Sequence, residues 1–113
     1  MIGLGYIGLP TAAVLANTCH RVIGVDVNPQ VVASVNYGKT HILEPGLEEQ
    51  VTKAVAAGYL TAQLNPAPAD VFLIAVPTPF YSVPGGIPQP NIDYVLSAAR
   101  AIAPVLSTGN LVL

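Results

Sequence analysis

Six residues near the start restrict this chain more than any others: Gly3-Leu4-Gly5-Tyr6-Ile7-Gly8 stands between an apolar strand remnant, Met1-Ile2, and a run rich in alanine. Glycines at that spacing divide the labour of a strand-to-helix turn. Gly3 permits the tight turn, Gly5 lets the backbone approach a pyrophosphate with no Cβ in the way, and Gly8 lets the helix pack closely on the sheet. The unpaired amides at the helix start, around Tyr6 and Ile7, then face an anion, so phosphate is held without lysine or arginine. A glycine triplet also serves ordinary turns, and its surroundings must decide.

Those surroundings are specific. Arg21 to Asp26 reads as a second, buried strand, and Asp26 ends it 18 residues after Gly8. An acid at that place can accept hydrogen bonds from an adenosine ribose, although a capping or surface aspartate would look the same in isolation. Together, strand, glycine turn, helix, strand and acid form a dinucleotide signature. Asp26 also favours NAD over NADP. A 2′-phosphate would meet a carboxylate beside neutral Val27 and Asn28, while Arg21 lies about 16 Å away at strand rise.

The remaining chain alternates strand-like and helix-like runs in the order β-α-β-α-α-β-β-α-β. A helix of about ten residues starts at Leu9. Asn28-Pro29 starts a second, with asparagine as cap and proline at the first helical position, ending at Gly38. A third runs to Ala57 with Gly58 as its stop and Glu49 and Lys53 four apart in the favourable order. Tyr59 to Gln63 is a short strand, and Val71 to Val76 is a continuous buried one. A loop rich in proline and glycine, Pro77 to Pro90, leads to a helix capped by Asn91 and closed near Pro104, and Leu111 begins another strand. Alternation of this kind predicts an α/β, Rossmann-like fold: a mostly parallel, doubly wound sheet with helices on both faces. A composition 52% hydrophobic and 9% charged agrees with a sheet covered on both faces.

Several function classes fall away. Arg21, Lys39, Lys53 and Arg100 are spread evenly, so no basic stripe awaits nucleic acid. Met1 to His20 carries no charge, but it lacks a basic start, and its glycines and Pro10 interrupt a secretory helix. No run approaches a membrane span of ~20 apolar residues. The single cysteine, Cys19, excludes an internal disulfide and fits a reducing, cytoplasmic setting, and no metal-ligand spacing appears. Cys19 reads as a buried, inert thiol near the end of the first helix, and His20 and His41 as structural or exposed. Tyr94 either packs within the last helix or faces the site. No catalytic acid-base pair stands out.

These motifs resemble the UDP-glucose/GDP-mannose dehydrogenase family, most closely its members acting on UDP-N-acetyl-D-mannosamine. Four segments carry the resemblance across essentially the whole chain: Gly3 to Pro10, Gly24-Val25-Asp26, Glu44-Pro45-Gly46-Leu47 and Ala75-Val76-Pro77-Thr78-Pro79-Phe80. By position it implies that the amides of Tyr6 and Ile7 contact the cofactor phosphates, Asp26 the adenosine ribose, and Thr78 the cofactor where the fourth strand ends. A threonine that merely terminates a strand is the plainer alternative there.

The resemblance also implies a parent enzyme that oxidises the C6 hydroxymethyl group of a UDP-sugar to a carboxylate in two NAD-dependent steps, using a cysteine nucleophile for the second. It implies a homodimer of the full enzyme in a surface-polysaccharide pathway. In such enzymes the cysteine, its assisting lysine and most sugar-binding residues follow the strand beginning at Leu111. Residues 1–113 are therefore expected to form one NAD-binding domain without the sugar-binding and catalytic regions, binding NAD and turning nothing over. With only Met1 and Ile2 before Gly3, a shortened central strand is expected to leave the isolated chain marginally stable. The loop Tyr81 to Pro90 departs from the N-acetyl-mannosamine enzymes and leaves the sugar open. A non-catalytic dinucleotide-sensing module and the cofactor domain of another dehydrogenase are the alternatives, and Val76-Pro77-Thr78-Pro79 argues against the latter.

Overall fold

Parallel pairing dominates the computed structural model, which describes residues 1–113. Strand β1 (Val22–Val25) pairs with β2 (Leu60–Gln63) from Val22↔Leu60 to Val25↔Gln63. Strand β3 (Val71–Phe72) pairs with β6 (Leu111–Val112). Ile2 forms parallel bridges to both Val25 and Ile74 and so joins the two ladders. Its amide donates to Leu73 O at 2.7 Å, its carbonyl accepts from Ala75 N at 2.7 Å, and Val25 N donates to Met1 O at 2.8 Å. The spatial order is β2, β1, Met1–Gly3, β3, β6. The chain thus builds one side of the sheet first and then crosses to the other, and the reversal lies between Met1–Gly3 and β3.

Helices α1 (Gly8–Asn17), α2 (Pro29–Asn36) and α3 (Leu47–Ala56) share one apolar cluster with Leu4, Leu60 and Ala62, whereas α4 (Asp93–Ile102) packs Ala98 and Ile102 against Ile2, Val25 and Phe72. Helices thus pack on both faces of the sheet, whose neighbouring residues point to opposite sides, while Val71 of β3 and Leu111 and Val112 of β6 stay exposed. Six of the seven large side chains that are fully buried, Leu4, Leu9, Val35, Ile42, Val51 and Leu60, lie in the first cluster. At roughly 1.5–3 kcal/mol for each, most apolar stabilisation comes from that face. Small side chains on α1, Ala12, Ala13 and Ala16, permit its close approach to α3, where Asn17 Nδ2 donates to Gln50 O at 3.0 Å. The outer side of β2 is engaged by Asn36, whose side chain both donates to Ala62 O and accepts from Ala62 N at 2.8 Å.

Helix punctuation follows the sequence in most places. Asn28 Oδ1 accepts from Gln30 N at 2.9 Å, and Pro29 is the first helical residue. The first three helices end in the same motif: the residue two past the helix is left-handed, its amide returns to the penultimate helical carbonyl, and the next amide reaches one carbonyl further back. The left-handed residue is Gly38 after α2 and Gly58 after α3, but Cys19, with φ 67°, after α1. Cys19 is consequently exposed, not buried, because the motif turns it out of the helix.

Other details also differ from the sequence reading. Pro77 to Pro90 is not simply a loop. Phe80–Tyr81 (β4) and Gln89–Pro90 (β5) form an antiparallel hairpin. Its bend is a turn at Val83-Pro84-Gly85-Gly86, closed by Gly86 N to Val83 O at 3.0 Å with Gly85 at φ 71°, as proline and glycine at the central positions favour. The regular part of β3 ends at Phe72, and Ile74 continues it only as a bridge. Lys39, not Lys53, makes the ion pair, to Glu48 at 3.3 Å across the α2–α3 connection. Asn91 Oδ1 accepts from Asp93 N at 2.8 Å, but Ile92 rather than Asn91 takes the cap position before the helix, which begins at Asp93 with no side-chain cap. No helix is long and apolar enough to cross a membrane.

Candidate functional site

The glycine turn sits at the carboxyl ends of the parallel strands, beside the place where strand order reverses. Its three glycines have different reasons to be glycine. Gly3 has φ 93°, and a Cβ there would lie 2.7 Å from Ala75 O, so both conformation and the neighbouring strand demand it. A Cβ on Gly8 would lie 1.8 Å from Gly3 O, so the start of α1 rests directly on the turn. Gly5 differs. Its φ is not positive, and a Cβ there would meet no protein atom within 4 Å. Nothing in the chain itself requires glycine at that position.

Around Gly5 the backbone donors converge without acceptors. The amides of Gly5, Tyr6, Ile7 and Gly8 donate to no protein group, and the first helical bond is Leu9 N to Gly5 O at 3.1 Å. Helix α1 has no side-chain cap and no acid in its first turn. The partial positive charge of these amides is left for a ligand. Tyr6 and Ile7 project their side chains outward, 77% and 72% exposed.

Asp26 is brought directly to this turn. Its Oδ2 accepts from Leu4 N at 3.0 Å, and its Oδ1 accepts from Asn28 N at 2.9 Å. The Leu4 side chain is fully buried and occupies the space that a Cβ on Gly24 would need, 2.8 Å from Leu4 Cδ2. Gly24 and the Leu4 amide are parts of the arrangement that sequence reasoning did not assign. A glycine inside an otherwise apolar strand was the available signal.

Thr78 is exposed, makes no hydrogen bond and follows Ala75, whose carbonyl approaches Gly3. It lies four residues beyond the bridge at Ile74 and outside any strand, not at a strand end as the sequence suggests, and it hydrogen-bonds neither the turn nor Asp26. In the adjoining hairpin Tyr81 Oη donates to Asp93 Oδ2 at 2.8 Å. That hydrogen bond, with lesser help from desolvation and the aspartate charge, raises the tyrosine above its usual value. Tyr94 is half exposed. Cys19 lies at the opposite end of α1 from the glycine turn, about 15 Å along the helix. No three His, Cys, Asp or Glu side chains gather as metal ligands.

The arrangement fits a dinucleotide: free amides for a pyrophosphate, space over Gly5 for close approach, and a carboxylate beside them for hydroxyl groups. A family model described as the NAD binding domain of the UDP-glucose/GDP-mannose dehydrogenase family matches residues 1–113. The chain is 55% identical over 112 residues to an NDP-N-acetyl-D-galactosaminuronic acid dehydrogenase of Ralstonia nicotianae, covering 99% of this chain and 26% of the relative. It is 54% identical over 113 residues to a UDP-N-acetyl-D-mannosamine dehydrogenase of Campylobacter jejuni, covering 100% and 27%. A solved UDP-N-acetyl-mannosamine dehydrogenase from Staphylococcus aureus superposes with a TM-score of 0.93 at 39% identity, over 98% of this chain and 26% of that one. The chain thus spans about a quarter of the length of these relatives.

Proposed function

Since the chain belongs to the UDP-glucose/GDP-mannose dehydrogenase family as its NAD-binding domain, we propose that it is the cofactor-holding part of a cytoplasmic nucleotide-sugar 6-dehydrogenase. The observation that carries this reading is the run of four undonated amides at Gly5–Gly8 beside the Asp26 carboxylate. In this reading Gly3 and Gly8 set the turn, Gly5 admits the pyrophosphate, and the amides of Tyr6 and Ile7 donate to it. Asp26 accepts from the adenosine ribose and repels a 2′-phosphate. Thr78 contacts the cofactor from the segment that follows β3 and the bridge at Ile74. Bound NAD supplies the acceptor for the electrons and hydrogen removed from the sugar alcohol.

The substrate proposed for the parent enzyme is a UDP-sugar, with UDP-N-acetyl-D-mannosamine favoured by the names of relatives at 51–54% identity. The name of the Ralstonia relative keeps an N-acetyl-galactosamine derivative as the second candidate. A role in polysaccharide biosynthesis and a homodimer of the parent enzyme belong to the same proposal. Residues 1–113 contribute binding and positioning, not bond-breaking. Cys19 lies at the end of α1 away from the edge of the sheet that would hold the cofactor, and so is misplaced to trap an aldehyde, and no other thiol is present.

The test is NADH formation from a panel of UDP-hexoses, run with this chain and with a protein extended through a sugar-binding domain. Turnover only in the extended form supports the proposal. Turnover by residues 1–113 alone refutes the division of labour, and an extended form inert with every UDP-hexose of the panel refutes the substrate class.

A further inference from the structure

Asp26 holds two backbone amides before any cofactor arrives, and they come from different loops. Leu4 N belongs to the glycine turn, and Asn28 N to the connection between β1 and α2. The two carboxylate oxygens are divided between them, one each. The same turn is anchored from below by the buried Leu4 side chain, seated over Gly24. Beyond Leu4 the chain runs into four amides with no acceptors. Each of those amides is within four peptides of Leu4, so the placement of Leu4 bears directly on theirs.

We propose that Asp26 is a positioning residue for the glycine turn as well as a ribose acceptor: its carboxylate clamps Leu4 N to Asn28 N and so holds the Gly5–Gly8 amides in their anion-binding arrangement. This rests on the NAD-binding reading but makes a separate claim. A carboxylate oxygen has more than one acceptor direction, so clamping the amides leaves capacity for ribose hydroxyls. Removing the carboxylate then weakens the cofactor in two ways. One is loss of the hydroxyl contacts. The other is a fall in the fraction of molecules whose turn is ready, which lowers apparent affinity by that same fraction.

The two effects separate in a cycle of two proteins and two ligands: wild type and Asp26→Asn, each titrated with NAD and with an NAD analogue lacking the adenosine 2′ and 3′ hydroxyls. Asparagine offers one acceptor where two are used, so one amide loses its partner. The clamp predicts that Asp26→Asn weakens the analogue as well, by roughly tenfold if the ready fraction falls to about one in ten. Equal affinity of wild type and variant for the analogue overturns the proposal. Amide hydrogen exchange on the unliganded wild type supplies a readout independent of the cofactor and of any misfolding of the variant. Slow exchange at Leu4 and Asn28 beside fast exchange at Gly5 and Tyr6 supports the clamp, and uniformly fast exchange overturns it. Should wild type bind neither ligand, the NAD reading fails, and the exchange pattern alone decides the clamp.

Discussion

Replacing Gly5 with alanine is expected to make the protein more stable and a worse cofactor binder at once. The added methyl meets no protein atom within 4 Å, and the backbone there has no positive φ to strain. Alanine at such a position removes freedom from the unfolded chain and stabilises by about 0.4–1 kcal/mol. For a domain near this size that raises the melting temperature by roughly 2–6 °C. The methyl nevertheless occupies the space between the free amides and an approaching pyrophosphate, so NAD affinity should fall at least about tenfold, or ~1.4 kcal/mol. Gly8→Ala is the contrasting variant. Its Cβ would sit 1.8 Å from Gly3 O, a backbone atom that cannot rotate away, and such overpacking costs about 1–3 kcal/mol. Thermal melts and NAD titrations of the two variants together provide the assay. If Gly5→Ala bound NAD as wild type does, the pyrophosphate would not approach there. If it melted below wild type, the structural reading of open space would be wrong.

Two further outcomes are expected. Cys19→Gly should raise stability by about 0.5–1 kcal/mol, because a left-handed L-residue costs roughly 1–2 kcal/mol and glycine returns only part of that as unfolded-state entropy. Cys19→Ala serves as the comparison in urea denaturation, and equal midpoints for the two would refute the argument. Tyr81 should titrate above the ordinary tyrosine value of 10.0, since its neutral hydroxyl donates to Asp93. The stabilisation from that bond is complete below the ordinary value and is lost as pH rises through the folded one. An Asp93→Ala variant whose Tyr81 resonance titrated unchanged would contradict this.

The sequence is most readable where a residue type answers to a single physical need. Asn28-Pro29, Gly38 and Gly58 mark helix ends by local chemistry, and the structure has those ends within about a residue. The continuous apolar run from Val71 identified a parallel strand, but not its length or burial: regular pairing covers only Val71–Phe72, and of residues 71–76 only Phe72 is buried. Cys19 was misread because apolar character suggests burial, whereas its location two residues past α1 required a left-handed turn into solvent. The hairpin at Phe80–Tyr81 and Gln89–Pro90 was hidden by prolines that normally exclude strands yet are tolerated on a two-stranded edge. Asp26 stood out as a candidate ribose acceptor from its place after the second strand. Its hold on Leu4 N and Asn28 N depends on how two distant loops meet, which no local pattern encodes.

Calorimetric titration of this chain with NAD and with NADP tests the central claim most directly. The free amides at Gly5–Gly8 beside the Asp26 carboxylate, which forms no ion pair, predict saturable one-to-one binding of NAD and affinity for NADP lower by about tenfold or more, equivalent to ~1.4 kcal/mol or more. Equal affinities, tighter binding of NADP, or no binding of either would contradict the assignment of this turn and this aspartate to NAD.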